Sequence, residues 1–512
     1  MGAQVQSIIS TGTAGLIVDI ECHLSNNLPN IIIVGFANKA VDEAKERIRG
    51  AFADSHIMLP RKRITVNLAP ADIPKADSSF DLAIAISILM ASGQIVSVPA
   101  SSVFIGELGL DGSVRAVRGI IGKILAGRSL GKQTFYIPAG NVQQAQLVPG
   151  VTIIPVTNLA HLYGHFSGTN VIQPIETGTG KYIPPASAKS SSNHAVRLSE
   201  VVGQAQAKRA LEIAAAGGHN VFFSGPPGTG KSMLAKALPS VLPPLSQEEI
   251  LEVTHLHSLA SHNYEKIVTK RPFRAPHHSA SHVAIVGGGL NLRPGEISLA
   301  HRGVLFFDEL PEFNRQTLEA LRQPLEDRTI SIARAKDTAE YPANFILVAT
   351  ANPCPCGYYG TPSSGKTCRC PPFQVLRYQQ RLSGPILDRI DLYSSIHEVA
   401  HDKLLRQPAS PSADNAAAQR VQEARMTQKR RYGHANKLNA TMTNAELKQF
   451  GLLTAEAESL FNKAAARLNL SARAYMRTVK VARTIADLEK SAQVTAPHIS
   501  EALAYRAPTL QE

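Results

Sequence analysis

The sequence predicts an α/β protein in three parts: a mixed α/β domain, then a domain built on a parallel sheet, then a helical one. Three observations predict it. Apolar, β-branched runs alternate with helical patterns over most of the chain, which is how βαβ units read. The strands of the middle stretch are apolar along their whole length, as strands covered on both faces must be. From about Asp402 the spacing is helical throughout.

At 512 residues the chain exceeds one hydrophobic core, and domains of about 100 to 200 residues predict two to four of them; three are expected. Residues 1–166 carry strand runs such as Asn30-Ile-Ile-Ile-Val and Arg63-Ile-Thr-Val-Asn and a helical pattern from Asn38 to Asp54. Leu82 to Ala91 reads as a buried core helix, because it follows Asp81, contains Ser87 and falls short of the roughly 18 apolar residues of a membrane span. Residues 167–195 form a linker, rich in Gly, Pro, Ser and Thr, that buries too little apolar surface to order itself. Residues 196–400 form the parallel-sheet core, with strands at Asn220-Val-Phe-Phe-Ser, Gly303-Val-Leu-Phe-Phe and Phe345-Ile-Leu-Val-Ala. Residues 401–512 form a helical bundle, entered through the short linker Arg406 to Asp414 and including a helix over Ala472 to Lys490.

Composition narrows the partners. Apolar residues make up 44% and charged residues 18%, ordinary for a soluble globular protein. The formal net charge of +13 attracts polyanions. Nucleic acid is the expected partner and a membrane is not. The first residues lack the basic start and long apolar centre of a signal peptide, so the chain is expected in the cytoplasm.

Chemistry begins at Gly225-Pro226-Pro227-Gly228-Thr229-Gly230-Lys231-Ser232, a gapless G-x-x-x-x-G-K-[ST] that follows a strand and opens the helix Met233 to Leu238. Its glycines let backbone N–H groups turn inward around a β-phosphate. The helix start adds favourable field, Lys231 reaches the β- and γ-phosphates, and Ser232 ligands Mg²⁺. Asp308 and Glu309 end the apolar strand Val304-Leu-Phe-Phe, at the sheet edge where open α/β folds bind ligands. Asp308 is expected in the magnesium shell and Glu309 as the base or orienter of the attacking water. Together these runs predict a magnesium-ATP site of the AAA+ kind, for which Asn352, after a third strand, is the candidate water-positioning amide. Asn352 is otherwise a turn cap before Pro353. Arg389, in Leu387-Asp-Arg-Ile-Asp391, is either a guanidinium offered to phosphate or half of an ion pair with Asp388 or Asp391.

Cys354, Cys356, Cys368 and Cys370 make two Cys-x-Cys pairs within one loop. Four thiolates suit tetrahedral zinc, whereas the tight spacing leaves disulfides or free thiols open. Cys22 stands alone.

Three longer runs carry a resemblance: Arg271-Pro-Phe-Arg-Ala-Pro-His-His-Ser-Ala-Ser, Pro294-Gly-Glu-Ile-Ser-Leu-Ala-His-Arg-Gly through Phe313, and Ala351-Asn-Pro-Cys-Pro-Cys-Gly-Tyr-Tyr-Gly. They resemble the magnesium-chelatase-like ComM/YifB family, over nearly the whole chain. The resemblance implies an AAA+ ATPase of the branch that includes magnesium chelatase and the MCM helicases. It also implies a hexameric ring and an ATP-dependent helicase that drives DNA branch migration in natural transformation, with single-stranded and branched DNA as partner. It implies that Arg389 is the arginine finger and Arg473, in Leu470-Ser-Ala-Arg-Ala-Tyr-Met-Arg477, the second sensor of a helical lid, with Arg477 as the other candidate. Val202-Gly203-Gln204 resembles the adenine-side segment, and Met233 closes the phosphate run. In this branch a hairpin before the first sensor enters the ring pore; here Thr329 to Phe345 has strand alternation around Ala335-Lys336-Asp337, so Arg334 and Lys336 are expected to meet DNA phosphates, or else to form a solvated tip. The segment Thr269 to Leu292 resembles the branch's helix-interrupting insert, and His277-His278 within it lack the partners of a metal site.

The first domain, through Val66 to Ala85 and Phe104 to Val114, is similar to the Lon protease fold. A Lon-type site needs a serine activated by a lysine. Lys123 stands near the lysine position, but Phe80 is read at the serine position, with Ser78 and Ser79 out of register. A non-proteolytic scaffold is therefore expected. Two alternatives to the helicase are a chaperone-like subunit resembling magnesium chelatase and a Lon-like protease.

Overall fold

A computed structural model describes residues 3–11, 14–35, 43–71, 78–178, 196–260, 265–289, 292–333, 338–360, 367–382, 384–399, 411–434 and 436–506. The chain divides into two compact units. The first holds Met1–Ser187 with the segments Ser246–Thr269 and Ala333–Glu340; the second holds Ala188–Leu245, Lys270–Ile332 and Tyr341–Glu512.

The first unit carries two four-stranded sheets. One is ordered β1 (Ala3–Thr11), β2 (Ala14–Ser25), β4 (Arg63–Ala69), β3 (Asn30–Val34), with β3 and β4 parallel and the others antiparallel. Alternate residues of β4, Ile64, Val66 and Leu68, are buried, which is the period of a strand with one covered face. Helix α1 spans Ala44–Asp54 and α2 spans Asp81–Ala91. Every residue from Asp81 to Leu89 is buried, so the apolar run is a core helix as its sequence predicts. Asp81 is tolerated there because Arg47 donates to both of its oxygens, at 2.7 and 3.1 Å, and the Leu108 amide to one of them at 3.2 Å. The second sheet is ordered β8 (Ile175–Glu176), β7 (Thr152–Val156), β6 (Thr134–Pro138), β5 (Ser102–Phe104), with α3 (Ile120–Ser129) and α4 (Leu159–Ser167) beside it in the sequence. The helix Gln247–Ala260 belongs to this unit, and its Ile250 and Leu251 join the core cluster containing Ile120, Ile121 and Ile124.

The second unit is built on a five-stranded parallel sheet ordered β10 (Phe273–Arg274), β11 (Val304–Phe307), β12 (Ile346–Ala351), β9 (Val221–Ser224), β13 (Leu392–Ser395). All of β11 and β12 is buried. Helix α5 (Ala205–Gly217) precedes β9 and α6 (Lys231–Ala237) follows it. The C-terminal stretch is helical: α7 (Pro411–Tyr432), α8 (Asn444–Phe450), α9 (Ala455–Arg467), α10 (Ala472–Leu488) and α11 (Ala496–Ala504). Thr443, Thr454 and Ser471 accept a backbone N–H at the starts of α8, α9 and α10, which is why each helix begins where it does. Their apolar faces join the sheet's core through residues such as Phe461, Val481 and Ile485. Among the described residues no helix is long and apolar enough to cross a membrane.

Candidate functional site

Strand β9 has parallel neighbours on both sides, so its carboxyl end opens in the interior of the sheet edge. The loop Gly225 to Gly230 starts there. At Gly225 a Cβ would lie 2.3 Å from the Ile396 carbonyl oxygen, so only glycine allows the loop to pass. Gly228 and Gly230 hold left-handed φ values of +79° and +87°, turning the chain into α6. Lys231 folds back over this loop, donating to the carbonyls of Gly225 at 2.7 Å and Pro226 at 2.6 Å and to Asn352 Oδ1 at 3.1 Å. Burial pushes its ammonium down to about 8, against the opposing pull of Asp308 and Glu309. Thr229 closes the loop by donating to the Pro226 carbonyl at 2.8 Å, while Met233 points to solvent.

Asp308 is the hub of the facing wall. Ser232 Oγ donates to its Oδ2 at 2.8 Å, and Thr350 Oγ1 to its Oδ1 at 2.6 Å. A hydroxyl and a carboxylate oxygen side by side are the donor set a magnesium ion takes. Glu309, in the left-handed region at φ +52°, gives its amide to Thr350 Oγ1 at 3.0 Å and leaves its carboxylate exposed. Thr350 was not singled out in the sequence. Its signal lies in the register, since Phe307 pairs with Ala349, which puts the next residues, Asp308 and Thr350, level with each other. Val202, Gly203 and Gln204 lead into α5, and Gln204 Nε2 donates to the His397 carbonyl at 2.5 Å, tying this segment to the loop after β13.

The two arginines gather elsewhere. Asn220, at the amino end of β9, donates to the Arg389 carbonyl at 3.0 Å, and β9 spans about 13 Å at strand rise. Arg389 therefore lies at the opposite end of the strand from Lys231. Its guanidinium pairs with Glu326 at 2.6 Å, and Arg473 pairs with the same Glu326 oxygen. The expected partners are thus corrected: Asp391 accepts from the Asn220 amide and lies beside His219, and Asp388 is 4.0 Å from Arg477. A cavity of about 570 Å³ opens here, flanked by Arg328, Arg389, Arg473, Arg477 and Lys480 against Glu326, Asp388 and Asp391.

The cysteines converge. Cys354 lies 3.3 Å from Cys356 and 3.7 Å from Cys368, Cys356 lies 3.6 Å from Cys368, and all four sulfurs, with Cys370, fall within 4.8 Å. These are not disulfide lengths. Zinc–sulfur bonds of about 2.3 Å put tetrahedral sulfurs about 3.8 Å apart, so the donor set and its spacing fit that ion.

Strands Thr329–Ala333 and Thr338–Pro342 form a two-stranded sheet with alternating burial, as a hairpin does. Arg334 and Lys336, between these strands in the sequence, lie outside the described residues. His277 and His278 stack on each other at 4.1 Å, and His277 shares a hydrogen bond with Ser279.

In the first unit the register expected for the serine is wrong. Lys123 Nζ donates to Ser79 Oγ at 2.9 Å and to the Ile8 carbonyl at 3.2 Å. Ser79 sits in a short 3-10 turn (Ser78–Phe80) before α2, a shape that residue counting does not reveal, and Ser78 bonds Glu107 instead. Both members of the pair are buried, Ser79 completely and Lys123 with 1% exposure.

Comparison with known proteins agrees with this geometry. The model of the magnesium chelatase subunit ChlI matches residues 197–404, a second model of subunit ChlI matches 20–141, and that of the ChlI C-terminal part matches 412–506. The chain is 42% identical to competence protein ComM of Haemophilus influenzae, over 99% of this chain and 97% of that protein. It is also 42% identical to the uncharacterized protein YifB of Escherichia coli, over 96% and 94%. A further uncharacterized protein, from Mycobacterium tuberculosis, is 39% identical over 98% and 97%.

Proposed function

The chain belongs to the ComM/YifB family of magnesium-chelatase-like AAA+ proteins, and from that premise we propose that it is an ATP-driven DNA translocase that promotes branch migration. One observation carries the reading: phosphate-binding and arginine groups stand at opposite ends of strand β9, so a complete centre takes two copies. Ser232 and Asp308 would hold magnesium, which neutralises charge on the phosphates as it builds. Lys231 gives up its loop carbonyls for phosphate oxygens, Asn352 and Glu309 orient the attacking water, and Val202 to Gln204 receive the base. Arg389 and Arg473 are supplied to the neighbour's phosphates, which makes a closed ring, a hexamer, the working form. The parts are a Lon-like domain to residue 166, a linker to 195 whose first residues already add strand β8 to that domain's sheet, an ATPase core to 400 from which Ser246–Thr269 is lent to the first unit, and a helical lid beyond. In the cytoplasm the net positive charge and the tip residues Arg334 and Lys336 draw in single-stranded and branched DNA. Cys354, Cys356, Cys368 and Cys370 hold a structural zinc.

The test is ATP turnover and three-way-junction migration by the purified chain, with and without branched DNA. Stimulation by DNA, and loss of turnover by about a hundredfold or more in Lys231→Ala, is the expected result. DNA-independent turnover with no junction movement overturns the translocase and favours a chelatase-like chaperone. The Ser79–Lys123 contact favours a second reading, acyl transfer at Ser79. Their burial weighs against it, and a serine-directed fluorophosphonate is expected to leave the native chain unlabelled.

A further inference from the structure

The cysteine cluster and the phosphate loop touch. Gly357 lies between Cys356 and the strand of chain leading to Cys368, and a Cβ placed on it would meet the Pro227 Cδ at 2.5 Å. Its φ of +87° belongs to glycine, so both its conformation and its lack of a side chain are used to bring this loop against the phosphate loop. A second contact closes the circuit. Asn352, two residues before Cys354, accepts from Lys231 at 3.1 Å, and Gln379 Nε2 holds the intervening Pro353 carbonyl at 3.1 Å. Starting at Lys231, the path runs through Asn352 and Pro353 to Cys354, through Cys356 to Gly357, and across van der Waals contact to Pro227 and back to Lys231.

Between Asn352 and Gly357 this path has no helix or strand of its own to stiffen it. A loop without a ladder or helix is held by turns and side-chain contacts, here the Gly357 N–H on the Cys354 carbonyl at 2.9 Å and Gln379 on Pro353, unless a stronger cross-link stiffens it. The four sulfurs are the cross-link available, since Cys354 is buried and the other three are half-buried beside it.

We propose that the metal bound by Cys354, Cys356, Cys368 and Cys370 is a working part of the nucleotide site: it latches Gly357 onto Pro227 and Asn352 onto Lys231, so metal occupancy sets nucleotide affinity. This rests on the reading of the phosphate loop as an ATP site. With the latch closed, the loop is held in the shape that receives phosphates, and binding pays no ordering cost. With it open, Asn352 and Pro227 are released together and the loop must be ordered by the nucleotide itself.

The experiment measures the dissociation constant of a fluorescent ATP analogue in excess magnesium. It uses the full chain as purified, the chain stripped with a thiol-competitive chelator that is then removed, and the stripped chain reloaded with zinc alone. Metal content and circular dichroism are recorded on each sample. The expected result is about a tenfold loss of affinity on stripping, or about 1.4 kcal/mol, and full recovery with zinc. Gly357→Val separates the latch from mere folding: it is expected to retain one zinc per chain and still bind nucleotide about tenfold more weakly. Equal affinity of folded, stripped and loaded chains overturns the latch, as does wild-type affinity in Gly357→Val. If the loaded wild type binds no better than Lys231→Ala, the ATP-site reading itself has failed, which is a different outcome from either.

Discussion

The two ends of the parallel sheet solve opposite problems. At the carboxyl end of β9, functional side chains are already engaged with one another, Lys231 with Asn352, Ser232 with Asp308 and Thr350 with Asp308, while the Glu309 carboxylate is exposed. At the amino end, two guanidiniums share a single carboxylate, Glu326, beside a cavity flanked by five cationic side chains and three acidic ones. The first end is arranged around an anion and a cation bound together. The second has more positive charge than it can neutralise and is suited to accept anionic groups from outside. Preorganisation of the one and surplus charge of the other are what the proposed sharing of a nucleotide centre between two copies would use.

The largest test breaks the comparison by removing the second end. Arg389→Ala is expected to lower ATP turnover of the assembled protein by about a thousandfold. Mixing it with Lys231→Ala should restore part of the activity, because some junctions then pair an intact phosphate loop with an intact arginine. If neither variant rescues the other, the two ends act within one copy and the comparison fails.

A titration tests the first end. Burial holds the Lys231 ammonium at about 8, below its ordinary 10.5, and phosphates bind the charged form. Affinity for ATP should therefore be full below about pH 8 and weaken by up to about tenfold for each pH unit above it. Lys231→Arg, whose guanidinium stays charged, should flatten that slope. A wild-type affinity that does not change between about pH 7 and pH 9 would mean that nucleotide does not meet Lys231.

The smallest effect is expected at Glu326. Its hydrogen bonds with Arg389 and Arg473 hold its carboxyl below the usual range. The Arg473 pair is half open to water, so Glu326→Gln should cost no more than about 1 kcal/mol in thermal unfolding. Because that carboxylate competes with phosphate for both arginines, the variant should lower the KM for ATP several-fold. An unchanged KM would mean the arginines are already free of it when they work.

How much of this could be read in advance depends on sequence separation. The phosphate loop is contiguous, so its residues, their order and the strand before it were all legible, as were the four cysteines in one loop. The strands fell within two residues of expectation because their apolar runs are short and sharply bounded: Asn220 to Ser224 became Val221–Ser224, and Phe345 to Ala349 became Ile346–Ala351. Contacts made by folding were not legible. Glu326 meets Arg473 from a distant helix, and Thr350 reaches Asp308 only through strand register. Ser79 meets Lys123 because a single turn of 3-10 helix rotates it by an amount that counting along an ideal helix misplaces.

His219 bears on how the two ends communicate. One ring nitrogen engages Thr484 near the C-terminal end of α10 at 2.8 Å and the other faces Asp391 at 3.3 Å, just before the strand that ends in the phosphate loop. Helix α10, which carries Arg473, and the loop that carries Arg389 are thereby tied to one end of a four-residue strand with parallel neighbours on both sides. Such a strand has no slack to absorb a displacement. In the ring proposed above, a shift at the phosphate loop would reach the arginines offered to a neighbour through this one strand, and the firing order would then follow mechanical gearing rather than diffusion of any signal.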